Sequence, residues 1–376
     1  MNDVKFVLIK GIANFKAVHK CLLAKGHEVE VVDFNSDDIV AAVKEKSSVL
    51  IAFFLDNPLL QLIRRADCPV VAWLSDKTAA ANANPEGIDR SNFHIFSLDP
   101  EDVGIFQAKG FNATLLPCNS GLDGIEMQMP EISENDKEKY GCDVSFIGQS
   151  ITFHHNPYIQ FIVNFSNMNK HLDAVMNEQV ENFATNIQKD VYEKGDLEIF
   201  SIQYMHNFLN MLDRRDLDFA LGVEASSRLR KKLVSALDGL NAKVFGDDAW
   251  RQLHLKTVKF LDETSYWNET PKVYKLSKIN LNISKTFFTG VIQRVYDIIY
   301  CGGFCLTDYR EDVAKRFEIG KEIETYSSEK EMVEKARYYL EHDNERREIA
   351  ERGHARLMEE HRVGHRVDAV LRQISL

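Results

Sequence analysis

The sequence predicts an α/β protein of two doubly wound parallel-sheet domains that face one another across a cleft, with a helical insertion in the second. Three observations carry this expectation. Short β-rich runs alternate with helical patterns over residues 1–122, and the alternation resumes after residue 217. The apolar runs are continuous rather than alternating, as in strands buried on both faces of a parallel sheet. The chain, at 376 residues, is longer than one hydrophobic core usually serves.

In order, residues 4–9 read as a strand, 14–25 as a helix stopped by Gly26, and 29–32 as the next strand. Residues 37–46 form a helix capped by Asp37 or Ser36. Strands follow at 49–54, 70–74 and 93–98, then a helix opened by Pro100 and a strand at 113–116. Parallel sheets bind ligands at the carboxyl ends of their strands, which aligns Lys10, Asp56, Asp76 and Asp99 on one edge. Residues 123–141 are polar and aperiodic and read as a linker. The second domain, residues 142–345, opens with a strand that ends at Gly148. Residues 156–217 read as the helical insertion. A helix at 226–240, a strand at 243–245 and the turn Gly246-Asp247-Asp248 come next. Ser328 and Glu331 make a capping box for the helix to Leu340, and residues 346–376 lie in one charged amphipathic C-terminal helix.

Bulk properties exclude several classes. A net charge of −11 argues against general nucleic-acid binding, which needs a basic field. The basic run Arg228-Leu229-Arg230-Lys231-Lys232 reads as a solvated helix face or a local anion site. No signal peptide opens the chain, and no apolar run reaches the roughly 20 residues of a transmembrane segment. The six cysteines are scattered without a Cys-x-x-Cys pair, so neither a zinc ribbon nor a disulfide framework is expected. These features point to a cytoplasmic protein.

The segment 277–303 is the most informative. A short strand runs into a polar loop, Thr289-Gly290 opens a helix, and Arg294 and Asp297 follow before Cys301-Gly302-Gly303. Helix-start N–H groups hold phosphate, and an arginine adds a fixed cationic fork. A carboxylate two turns on, roughly 10 Å along the axis, suits ribose hydroxyls.

The chain resembles the spore-maturation CgeB-like glycosyltransferases, whose C-terminal half belongs to the glycosyltransferase group 1 superfamily. The residues that carry the resemblance are Asp143-Val144-Ser145-Phe146-Ile147-Gly148, Val244-Phe245-Gly246-Asp247-Asp248-Ala249-Trp250, 277–283, Arg294-Val295-Tyr296-Asp297, Cys301-Gly302-Gly303 and 317–323. The tail from Ile349 through His361 and Arg366 also fits, as do 71–76, Asp99 and Leu115-Leu116-Pro117 in the first half. It covers nearly the whole chain except the insertion. It implies a GT-B-like fold of two Rossmann-like domains, a sugar-nucleotide donor in the second and an acceptor in the first. Related transferases keep two carboxylates separated by seven residues around the donor helix. Here the second is Asp297 and the first position holds Thr289, which leaves the stereochemical outcome open.

Each candidate residue has a plain structural alternative. Gly148, Gln149 and Ser150 bring N–H groups to a diphosphate, or form an ordinary turn. Thr289 and Gly290 hold phosphate beside Arg294, which alternatively pairs with Asp297. Asp297, flanked by apolar residues, needs a ligand or a partner. Lys278 reaches a phosphate or snorkels at a strand edge. Asn282 ends the same strand on the donor side. Gly246 and Asp247 lie where the base would be read. Asp76 is the first choice of general base, against a helix-capping role, with His154 and His155 as rivals. Asp216-Leu217-Asp218 and His354, His361 and His365 read as surface charge rather than metal ligands, so no obligatory metal is expected.

The expectation is therefore a metal-independent glycosyltransferase of hexosyltransferase type. Its donor is a UDP- or GDP-sugar and its acceptor a protein or glycan, consistent with bacterial surface glycosylation in the family. No nucleic-acid partner is expected, and a homodimer through the insertion is compatible. A carbohydrate-binding or assembly protein on a transferase scaffold and a nucleotide-sugar epimerase are the alternatives.

Overall fold

A computed structural model describes residues 4–10, 14–34, 37–74, 84, 86–123, 131–154, 156–168, 170–184 and 214–374. Two six-stranded parallel sheets organise them. The first holds β1 (Lys5–Ile9), β2 (Glu28–Val32), β3 (Ser48–Ala52), β4 (Val70–Leu74), β5 (Phe93–Ser97) and β6 (Asn112–Leu115), in the order β2-β1-β3-β4-β5-β6. Successive side chains of a strand point to opposite faces, which explains the continuous apolar runs. Val7, Ile9, Leu50, Ala52, Val70 and Ala72 build one core, and Phe6, Leu8, Val49, Ile51, Val71 and Trp73 build the other.

The second sheet holds β7 (Cys142–Ile147), β8 (Ala242–Phe245), β9 (Val258–Leu261), β10 (Ser277–Asn282), β11 (Cys305–Asp308) and β12 (Glu324–Tyr326), in the order β12-β11-β10-β7-β8-β9. Sequence order reverses direction between β7 and β10, which opens a crevice at their carboxyl ends.

Several element expectations need correction. Residues 123–141 are not all linker. Ser133 and Asp136 form a capping box for a helix at Glu134–Tyr140, and Lys272 pairs with Asp136 at 2.9 Å. The described part of the insertion consists of helices Pro157–Met168 and Lys170–Glu181, both packed on a helix that runs unbroken from Arg214 to Ser235. The C-terminal helix is two helices, Asp343–Glu360 and Val363–Gln373. The break lies where buried Asp123 accepts the Arg362 guanidinium at 2.8 Å and the Val363 N–H at 2.6 Å. The last helix thereby returns to the first domain, where Val363, Val367 and Val370 pack with Phe15, Val18, Phe53 and Trp73.

The carboxyl edge of the first sheet meets the second domain. Leu98, Cys118 and Leu122 share a core with Phe287, Phe288, Val291 and Val295. Among the described residues no helix is long and apolar enough to cross a membrane.

Candidate active site

A cavity of about 570 Å³ occupies the crevice at the carboxyl ends of β7 to β10. Two of its lining arginines stand over the buried ring of Phe146 of β7. The Arg294 guanidinium, carried by the helix Gln293–Tyr300, lies 5.3 Å from the Phe146 ring centre. The Arg230 guanidinium, from the helix Arg214–Ser235, lies 5.8 Å from the same ring. Arg294 is oriented by Asn282, whose Oδ1 accepts from Nη1 at 3.1 Å. Arg230 donates from Nη1 to the Gln149 carbonyl at 2.7 Å and from Nη2 to the Ile283 carbonyl at 3.3 Å. Its Nε is buried with no hydrogen-bond partner among the described residues.

Arg230 is only 4% exposed, and its hydrogen bonds go to carbonyls rather than to a carboxylate. Burial, and then the neighbouring charge of Arg294, push its pKa down to about 9. Two like charges over one apolar ring, with no paired carboxylate among the described residues, are costly unless an anion joins them. Lys285 also lines the cavity. Close packing needs glycine at two points. A methyl group on Gly148 would lie 2.9 Å from the Phe146 ring and 3.1 Å from Arg294. One on Gly246 would run into the Gly148 carbonyl, which accepts the Trp250 indole N–H at 2.8 Å.

The structure brings Gly148, Gln149, Gly246 and Arg294 into this cavity, with Asn282 behind Arg294. It places other candidates elsewhere. Thr289 and Gly290 do not start the helix, which begins at Gln293. Instead the Thr289 N–H and hydroxyl both donate to buried Asp99 of the first domain at 2.9 Å, and Gly290 packs on the Leu98 carbonyl. Those donors are consumed by the interdomain contact. Lys278 sits at the start of β10, the opposite end of the sheet, and pairs with Asp143 at 2.7 Å. Asp247 is not part of the cavity lining and ties two loops together by accepting the Ser150 N–H at 2.7 Å and the Ala249 N–H at 3.1 Å. Asp76 and His155 lie outside the described residues, whereas His154 lines the cavity.

Asp297 reaches the cavity wall but is 2% exposed and is held by protein donors. Its Oδ1 accepts from Ser120 Oγ at 2.6 Å and from the Gly121 N–H at 3.1 Å, and its Oδ2 accepts from Tyr266 at 2.9 Å. Burial nonetheless raises its pKa to about 6. Asp297, expected as a ribose ligand, thus stands in the cavity wall and also anchors the interdomain loop. Asp216 and Asp218 lie in a helix, and His361 bonds to Arg366 at 2.8 Å. Among the described residues no cluster of His, Cys, Asp or Glu is arranged to hold a metal.

Glu263 and Lys285 line the cavity without a sequence signal, and Arg230 was marked only as part of the basic run 228–232, a solvated helix face or a local anion site. Arg230 had a signal. On its helix Ser226, Leu229, Leu233 and Val234 are buried, and Arg230, four residues from Ser226 and Val234 and three from Leu233, is buried with them while Arg228, Lys231 and Lys232 are only partly buried.

Comparison with known proteins agrees with this geometry. Residues 226–372 match the family described as glycosyl transferase-like. An uncharacterized protein of Aquifex aeolicus is 29% identical over 152 residues, 39% of this chain, and the chain spans 37% of that relative's length. Anabaena HepE in complex with UDP and glucose aligns over 99% of both chains at 12% identity, with a TM-score of 0.55. T4 phage BGT in complex with its UDP-glucose substrate aligns over 99% of this chain and 100% of its own at 12% identity, with a TM-score of 0.56. A glycosyltransferase from Rickettsia africae aligns over 100% and 98% at 6% identity, with a TM-score of 0.58. The chain thus has the GT-B glycosyltransferase fold, and its residues 226–372 carry the glycosyl transferase-like family match.

Proposed function

We propose that the protein is a glycosyltransferase of hexosyltransferase type that moves a sugar from a nucleoside-diphosphate sugar, UDP- or GDP-linked, to a protein or glycan acceptor. The observation that carries this reading is the pair Arg230 and Arg294 over Phe146, cationic and with no paired carboxylate among the described residues, at the switch point of the second sheet. Solved proteins of the same fold bind UDP and UDP-glucose, which supports a nucleotide-sugar donor. The CgeB-like resemblance supports a bacterial cell-surface acceptor.

The diphosphate lies between the Gly148 loop and the two guanidiniums. An acceptor hydroxyl attacks the anomeric carbon, the bond from that carbon to the diphosphate oxygen breaks, and its electron pair stays on the diphosphate. Arg230, Arg294 and Lys285 stabilise that charge as it develops. Being fixed before reaction, they do so with little reorganisation, and no metal is required for charge neutralisation. The acceptor proton goes to a base on the facing edge of the first sheet. Asp76, two residues past the end of β4, is the candidate.

Calorimetric titration with UDP and GDP tests the site. Replacing either arginine by alanine removes a charge-assisted contact of about 1.5–3 kcal/mol, so affinity should fall roughly 10- to 100-fold. Unchanged affinity in both Arg230→Ala and Arg294→Ala would remove the diphosphate from this cavity. Turnover with UDP- or GDP-sugars should require an acceptor and should survive EDTA; donor conversion without any acceptor would indicate an epimerase instead.

A further inference from the structure

The cavity changes character along its length. Around Arg230 and Arg294 it is cationic, and toward the ends of β8 and β9 it offers polar groups such as Thr264 and Thr270. The remaining end is apolar and is lined by Ile151, Phe153, Phe219, Val223 and Phe287. Phe219, Val223 and Arg230 share one face of the helix Arg214–Ser235, since spacings of four and seven residues are one and two turns. Phe287 comes close to that face because residue 222 is glycine: a methyl group there would lie 2.6 Å from the ring. The Thr286 N–H donates to Ser226 Oγ at 2.9 Å and holds the Phe287 loop on the helix. The Phe219 ring centre stands 5.5 Å from that of Phe287 and 5.7 Å from that of His154. Phe153 is 71% exposed and Phe219 38%. Adjoining apolar surface of this kind, continuous with a charged site, gains when a ligand covers it.

The helix sets the distance. Val223 lies seven residues before Arg230, about 10 Å along the axis, and Phe219 one turn farther. A hexose on a phosphate held by Arg230 spans that order of length, so its ring substituents meet Val223 and Phe219 while the nucleoside extends the other way, over Gly246. The polar side chains at the apolar end are donors. Lys285 carries no acceptor. His154 Nδ1 accepts the Asn156 N–H at 3.0 Å, which leaves the proton of the neutral ring on Nε2. A sugar hydroxyl turned to this wall therefore meets no side-chain acceptor for its own proton among the described residues. A methyl group in its place forfeits no hydrogen bond and leaves water for the rings.

We infer that the donor sugar carries a methyl-bearing substituent against this wall, the acetamido group of an N-acetylhexosamine or the methyl of a 6-deoxyhexose, and that Phe219 and Val223 select it. The inference rests on the nucleotide-sugar reading of the cavity and names the sugar class which that reading leaves open. An acetamido group sets its carbonyl toward the donors and its methyl on the rings, whereas a 6-deoxy sugar offers the methyl alone.

The test is calorimetric titration of the full chain with glucose, N-acetylglucosamine and 6-deoxyglucose, each linked to UDP and to GDP, with UDP and GDP themselves as references. In the series whose nucleotide binds, the wild type should take one methyl-bearing donor about tenfold more tightly than the glucose donor, the discrimination that one apolar group gives in such a pocket. Which of the two is preferred separates acetamido from deoxy recognition. Phe219→Ala should cut the preference to about twofold and leave UDP or GDP affinity unchanged. Phe219 is partly exposed, so this variant should stay folded, which its melting curve checks. Val223→Thr adds an acceptor oxygen at nearly constant volume and should raise affinity for the glucose donor relative to the other two. A wild type that binds the glucose donor as tightly as both others overturns the inference, as does a preference that survives both substitutions. Loss of UDP or GDP affinity in Phe219→Ala puts the nucleoside on the rings and also overturns it. In each of these cases the wild type still binds a nucleotide and the donor reading stands; a wild type that binds neither UDP nor GDP overturns both.

Discussion

Two loops of the second domain look alike as sequence and do opposite things in the fold. Each follows a strand, each contains a glycine, and each precedes a helical stretch: Gly148 after β7 and Gly290 after β10. Gly148 borders the open cavity, with Arg294 and the Phe146 ring against it. Gly290 is pressed on the Leu98 carbonyl, and its neighbour Thr289 is held by Asp99, 190 residues away in sequence. A loop with helix-start chemistry binds anions only if its N–H groups are not already claimed. Here a carboxylate from the other domain claims one set, and the arginines take over at the other.

The comparison breaks most visibly if alanine is placed at each glycine. Gly290→Ala drives a methyl group into a backbone carbonyl that cannot swing aside. It should cost about 3 kcal/mol, the upper end for an overpacked site, and it should do so by loosening the domain contact. Urea unfolding would read this as a lowered midpoint. Gly148→Ala crowds the Arg294 side chain and one edge of a ring instead. Stability should change by less than about 1 kcal/mol, whereas UDP or GDP affinity should fall about tenfold. If Gly290→Ala lost affinity without losing stability, the latch assigned to that loop would be wrong.

A smaller effect follows from Asp297, which belongs to both regions because it touches the cavity and holds Ser120 and Gly121 of the interdomain loop. Its pKa is raised by burial from 3.8 to about 6. The folded protein then holds the proton more tightly than the unfolded chain does. Stability from this group is fully present below about pH 4 and is lost as pH rises through 6, by an amount of order 3 kcal/mol at most. His361 opposes this in the same window: burial and Arg366 push its pKa down to about 4, so its contribution is lost as pH falls. The informative quantity is therefore the difference between wild type and Asp297→Asn. Between pH 4 and 6, wild type should lose stability relative to the variant; parallel curves would show that Asp297 does not titrate there.

How much of this was legible in the sequence divides along the same line. The two parallel sheets were, because continuous apolar runs between turn residues report burial on both faces, as in β3 and β4. Local capping was legible too: Ser328 accepts the Glu331 N–H as its spacing suggests. What escaped depends on partners far apart in the chain. Asp99, Ser120 and Asp123 meet Thr289, Asp297 and Arg362 only once both domains are assembled. Nothing local to Thr289 marks its N–H as taken. Nothing local to Arg362 marks the break that sends the last helix back to the first domain. Arg230 was hidden differently, because its basic neighbours make the segment look solvated although its own helical phase points inward.

The smallest effect belongs to Lys278, and it sharpens the comparison by its absence from both regions. A lysine in the strand before a donor loop invites a role on phosphate. Yet β10 runs parallel to β7 with Ser277 beside Cys142, so Lys278 lies at the amino end of the sheet and the cavity at the carboxyl end. The strand spans six residues, Ser277 to Asn282, which separates Lys278 from Asn282 by about 13 Å at the rise of a strand. Its side chain is half exposed and paired with Asp143. Such a pair contributes less than about 1 kcal/mol and is screened by salt. Lys278→Ala should therefore leave nucleotide affinity within about twofold of wild type and lower stability by only a few tenths of a kcal/mol. A tenfold loss of affinity in that variant would mean that the anion is bound at the opposite end of the sheet, and that the guanidinium pair over Phe146 serves something else.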